Sequence, residues 1–116
     1  MRTKSMKHLK IRPRLTIYTG DSVDTGSFGK GIATLLRGID QYGSLNASAR
    51  KIHMAYSKAW RIVKETELAF GFDLIARDGA RGSKLTAEGL KLLEAYEKLE
   101  EESQDLLSKR FIELAR

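Results

Sequence analysis

The sequence predicts a mainly α domain with a small β-sheet, and three observations carry that prediction. Apolar residues step by three and four through the middle of the chain, the spacing of helices that bury one face. Two short β-type pieces flank a Gly-bearing, basic turn in "FDLIARDGARGSKLT". From Ala87 onward there is no Pro, and no Gly after Gly89, so one long helix can run to Arg116.

The first element is "LKIRPRLTIYT", where Leu9, Ile11, Pro13, Leu15 and Ile17 alternate with Lys10, Arg12, Arg14, Thr16 and Tyr18. Strict alternation is the period of a strand with one buried face, and Pro13, with no N–H to give to a ladder, places it at a sheet edge. Its basic face is either a phosphate-binding strip or protection of an open edge.

"TGDSVDTGSFGKG" follows and reads as a loop. Its end is not a phosphate-binding P-loop, because Asp24 stands where the leading Gly belongs and Gly31 where Ser or Thr must follow Lys30.

Ile32, Leu35, Leu36 and Ile39 then predict an amphipathic helix ending at Gly43. "LNASARKI" predicts a short second helix, with Asn46 as N-cap and Leu45, Ala49 and Ile52 facing inward. A turn at "HMA" leads to a third helix, Tyr56 to Phe70, with Ala59, Val63, Thr66 and Phe70 on its inner face. Pieces around Leu74 to Arg77 and Lys84 to Thr86 form a hairpin.

Thr86 suits the N-cap of the last helix, in which Leu92, Leu99 and Leu106 recur every seven residues, with Leu107 and Phe111 beside them. About 28 residues at ~1.5 Å each make a rod of ~42 Å, longer than so small a domain covers. Part of it is therefore expected to pair with a second copy, its charged side left in water.

A chain of 116 residues, 41% hydrophobic and 31% charged, supports one core rather than two. We read residues 1–86 as the folded unit and 87–116 as the dimerisation helix. Residues 1–86 hold 16 Lys and Arg against 7 Asp and Glu, while 87–116 hold 5 against 8. The first part is built to meet a polyanion.

Zero cysteines remove disulfides and thiolate metal sites, and His8 and His53 stand alone with no ligand spacing around them. No residue pattern asks for a metal or cofactor, and none has catalytic spacing, so no enzyme is expected. With no apolar run near 18 residues and no apolar segment after the basic start, neither a membrane span nor a secretory signal is expected, and the location expected is cytoplasmic.

Strand, three helices, hairpin and long helix is the order of a winged helix-turn-helix with an additional first strand available to pair with the wing. In such a unit the third helix lies in the major groove of double-stranded DNA. Ala59, Ile62 and Val63 give that helix a core face. Tyr56, Ser57, Lys58, Arg61 and Lys64 give it donors for phosphates or base edges, and Trp60 either packs or meets the DNA backbone. Arg77, Arg81, Ser83 and Lys84 mark the wing as a second contact. The rival reading is an adaptor whose basic, aromatic helix face docks an acidic protein.

The run "GSLNASARKIHMAYSKAWRIVKETE" resembles the N-terminal DNA-binding domain of the ModE-type, molybdate-responsive transcriptional regulators. "LIARDGARGSKLTAEGLKLL" is similar to the wing and following helix start that they share with the LysR regulators. The likeness spans roughly Leu9 to Leu99 and implies a dimeric transcriptional regulator. His53 stands where the family has Gly in the turn, which requires a left-handed backbone at a histidine. Ala55 replaces the usual Ser cap of the recognition helix, at a cost of ~0.5–2 kcal/mol. ModE-type regulators continue into molybdate-binding domains that these 116 residues do not include, so any oxyanion sensing is expected from a separate partner.

Overall fold

The computed structural model describes residues 6–20, 24–80 and 82–116. Among them, a 3₁₀ turn at Met6–His8 precedes α1 (Lys30–Tyr42), α2 (Leu45–Lys51), α3 (Tyr56–Phe70), β1 (Ile75–Asp78), β2 (Gly82–Leu85) and α4 (Ala87–Leu114). The two strands form one antiparallel sheet. This is a winged helix-turn-helix.

α1 is the central stave. Its predicted face, Ile32, Leu35, Leu36 and Ile39, is buried against Leu45 and Ala49 of α2, Ala59 and Val63 of α3, and Leu93 and Tyr96 of α4. Gly38 lets α2 approach closely, since a Cβ there would stand 2.8 Å from Ser48 Cβ. The Ser48 hydroxyl instead donates to Leu35 O at 2.7 Å. α1 stops where Gly43, at φ 84°, donates its N–H back to Ile39 O.

The cap of α2 is Ser44, not Asn46: the Ser44 hydroxyl accepts from Ala47 N–H at 3.0 Å. Both types cap well, and the choice follows from Leu45, which is buried as the first helical residue and leaves Asn46 inside the first turn. The turn into α3 holds His53 at φ 56°, as expected, and α3 begins at Ala55 with no side-chain cap. Thr86 caps α4, accepting from Gly89 N–H at 2.9 Å while its hydroxyl donates to Asp73 O at 2.6 Å.

The hairpin pairs Ile75 with Leu85, Ala76 with Lys84, Arg77 with Ser83 and Asp78 with Gly82. Leu74 falls outside the ladder because it is fully buried and both its backbone groups are engaged elsewhere. Its N–H goes to Glu67, and its carbonyl accepts from Thr86 N–H.

The expected first strand is not a strand. Over Leu9 to Tyr18 a single bridge, Ile17 to Phe28, replaces the predicted pairing with the wing. Alternate burial is nonetheless present from Ile11 to Ile17, with Leu9 exposed. The segment lies against α4 instead of a sheet: Tyr96 donates to Leu15 O at 2.9 Å, and Ile11 N–H donates to Ser108 Oγ at 2.8 Å. Any extended backbone laid on a surface has this period.

Tyr96 is fully buried, its ring edge-on to Phe28 at 5.3 Å. Burial pushes its phenol above the ordinary value of 10.0, the Glu100 carboxylate adds to this, and Arg14 opposes it. The fold therefore favours the neutral phenol. That contribution is complete below the unfolded value and is lost as pH rises through the higher folded one. Denaturation midpoints above pH 10 are expected to fall more steeply in the wild type than in Tyr96→Phe.

Beyond Tyr96, α4 leaves the core, and the molecule measures 63 × 31 × 23 Å. Leu99, Leu106 and Leu107 are exposed and Phe111 is half-buried, whereas Leu92, expected to serve dimerisation, packs on the core of its own chain. Arg37 pairs with Glu97 and tethers α1 to α4.

Candidate nucleic-acid interface

α3 sits on the core through Ala59, Val63 and Thr66, which fixes the side it shows to solvent. Tyr56, Ser57, Lys58, Trp60 and Arg61 are all exposed there. Trp60 is 48% exposed, half covered by the fold and half open to a partner. The Arg61 guanidinium lies 3.4 Å from Glu65 on an exposed turn. Such a pair contributes only ~0.3–0.5 kcal/mol and is readily exchanged for an anion.

Lys64 is held differently. Its Nζ stands 3.1 Å from Glu67, a carboxylate only 7% exposed, and 5.8 Å from the centre of the Trp60 ring. Glu67 was not foreseen as a site residue. The signal was present, because an acid beside Thr66 on the inner side of α3 must find donors or destabilise the fold. It finds two in the backbone, Leu74 N–H at 2.8 Å and Ile75 N–H at 3.3 Å.

The wing residues do not form one surface. Arg77 pairs with Ser83 and Ala76 with Lys84, so Arg77 and Ser83 share one face of the hairpin while Lys84 lies on the other. Arg81 lies outside the described residues. Ser83 N–H donates to Gly43 O at 2.9 Å, tying the wing to the turn between α1 and α2. A groove of about 330 Å³ between α3 and the hairpin brings together Tyr56, Trp60, Lys64, Arg77 and Ser83. Lys58, Ser57 and Arg61 stand outside it, on the free side of α3.

The basic face of the N-terminal segment is elsewhere. Arg12 and Arg14, with Lys30, line a cleft of about 450 Å³ opposite Glu97, Glu100, Glu101 and Asp105 of α4. Among the described residues, no group of three or more His, Cys, Asp or Glu could hold a metal ion. No helix among them is long and apolar enough to cross a membrane.

Comparison with known proteins bears on this arrangement. Residues 34–90 match the bacterial regulatory helix-turn-helix proteins of the lysR family. The span runs from α1 through the hairpin into the first turn of α4, a little under half of the chain. No curated protein matches the sequence.

Two solved structures resemble this chain. One is the CbnR DNA-binding domain in complex with DNA, with a TM-score of 0.59 and 24% identity, covering 74% of this chain and 97% of that one. The other is ArgP from Mycobacterium tuberculosis, with a TM-score of 0.50 and 24% identity, covering 75% of this chain but 31% of that one. Both likenesses concern the fold. In the order of the helix-turn-helix α3 follows α2, and the groove described above lies between α3 and the wing.

Proposed function

We propose that the protein is a site-specific, dimeric transcriptional regulator that binds double-stranded DNA, with α3 in the major groove and the hairpin along the neighbouring backbone. The observation that carries this is the division of α3. One side is locked into the core, and the other offers Tyr56, Ser57, Lys58, Trp60 and Arg61 to solvent, with Arg77 and Ser83 across a groove. The lysR-family match and the DNA named in the CbnR complex support the same reading.

Within this class, the run from Gly43 to Trp60 favours a ModE-like regulator. Leu99, Leu106, Leu107 and Phe111 extend α4 toward a partner's α4, while residues before Ala87 carry the DNA contacts. Two recognition helices related by a two-fold would read half-sites ~34 Å apart or a multiple of that.

The test is retention of genomic DNA fragments across a salt series, followed by sequencing. Enrichment of a two-fold symmetric motif at moderate salt is the expected result. Sequence-blind binding that vanishes with salt, or none, would overturn the proposal and favour an adaptor for an acidic protein.

Two variants refine it. Arg77→Ala is expected to weaken specific and scrambled duplexes alike and to lower the salt slope by about 1. Leu106→Glu, at a position 68% exposed, is expected to leave the thermal midpoint of a dilute sample unchanged and to shift sedimentation to the monomer. A dimer that survives Leu106→Glu would remove α4 from the interface.

A further inference from the structure

We infer that Glu67 is a positioning residue that holds Lys64 back from DNA and sets where the wing leaves the recognition helix. The inference rests on the DNA-binding reading above. Its basis is a carboxylate that meets three donors of the protein: Leu74 N–H and Ile75 N–H on Oε2, and Lys64 Nζ on Oε1.

Leu74 is fully buried and Ile75 is the first residue of β1, so these two bonds join α3 directly to the root of the hairpin. One side chain thereby joins the reading helix to the wing, beside the bond from Ser83 N–H to Gly43 O. Lys64 is the only cation among the α3 donors that is tied to a buried acid. Its ammonium is already neutralised within the fold, and withdrawing it would leave a carboxylate out of water with one donor lost.

A cation that releases no counterion from the duplex adds nothing to the salt slope. Lys64 therefore acts through its neighbour, holding Trp60 at the mouth of the groove shared with Arg77 and Ser83.

The experiment titrates the full chain with a duplex carrying the selected site and with a scrambled duplex, across salt, using Lys64→Met, Glu67→Gln and the double variant. Lys64→Met is expected to keep the wild-type salt slope. Glu67→Gln frees the ammonium, so its slope is expected to steepen by about 0.9 on both duplexes. Its preference for the selected site is expected to fall by roughly tenfold, comparable to one mismatched base pair. The double variant is expected to return to the wild-type slope while keeping the lowered preference.

A slope reduced by about 0.9 in Lys64→Met would show Lys64 on phosphate and overturn the inference. So would a Glu67→Gln protein indistinguishable from the wild type. If Glu67→Gln fails to fold by thermal melt, Lys64→Met decides alone, since Glu67 there keeps both backbone donors. A wild type without duplex binding would overturn the DNA-binding reading and this inference together. A binding wild type with a flattened Lys64→Met slope would overturn this one only.

Discussion

Gly89→Ala is expected to destabilise the fold by ~2–4 kcal/mol, a large share of the ~5–15 kcal/mol typical of a domain. The substitution should help locally, because Ala is favoured over Gly inside a helix by ~1 kcal/mol. Packing reverses the sign. A Cβ at Gly89 would press on Leu74 O and stand 3.0 Å from Leu74 C and 3.1 Å from its Cα. These are backbone atoms and cannot rotate away.

Relief requires α4 to lift off the start of the hairpin. That movement strains the bond from Thr86 N–H to Leu74 O, 3.0 Å in the wild type, and the cap on Gly89 itself. The control is Gly31→Ala, at an exposed position of α1 with nothing within 4 Å of the new methyl, which is expected to be neutral or stabilising by up to ~1 kcal/mol. Urea midpoints measure both. A Gly89→Ala midpoint at or above the wild type would mean that the first turn of α4 is not seated on Leu74.

Arg61→Ala is expected to lower affinity for the selected site by ~1–3 kcal/mol and to relax discrimination at one base pair. Arg61 has two qualifications that its neighbours lack together. It is 58% exposed, and its partner Glu65, at 3.4 Å, is itself on the surface, so leaving that pair costs little. Its planar fork matches the two acceptors on a guanine edge.

Arg61→Lys separates base reading from simple charge. A phosphate contact would be largely restored by lysine, whereas a bidentate base contact would not. Titrations of selected and scrambled duplexes measure the difference. If Arg61→Ala binds both as the wild type does, Arg61 is outside the interface.

Much of this architecture was legible because it depends on local rules. The spacing of Ile32, Leu35, Leu36 and Ile39 identifies α1, Thr86 announces α4, and the turn geometry forces a positive φ on His53. The N-terminal segment was misread because a period of two reports extended backbone and does not say whether a strand or a helix lies beneath it. Leu92 packs partly on its own core, a contact that heptad spacing does not announce. A straight helix drifts by ~20° per heptad, so residues seven apart gradually leave a common face. Leu92 turns into its own core, and Leu106 does not.

The candidate site was legible as a set of residues but not as a surface. Sequence spacing nominated Tyr56, Ser57, Lys58, Trp60, Arg61 and Lys64 as one group. Burial of Glu67 divides them by engaging Lys64, and strand register divides Arg77 from Lys84. Both divisions arise from tertiary contacts that no local pattern encodes.

The strapping of the N-terminal segment to α4 has a consequence for synthesis. Leu15 bonds to a side chain 81 positions later, and Ile11 to one 97 positions later. On a ribosome adding ~5–20 residues per second, the segment emerges well before α4 and waits several seconds for its seat. The three central helices can gather before then, but Phe28 and Leu15 acquire their cover only when Tyr96 has left the tunnel. A nascent chain arrested with Tyr96 still inside the tunnel would thus leave Leu15 and Phe28 without that cover.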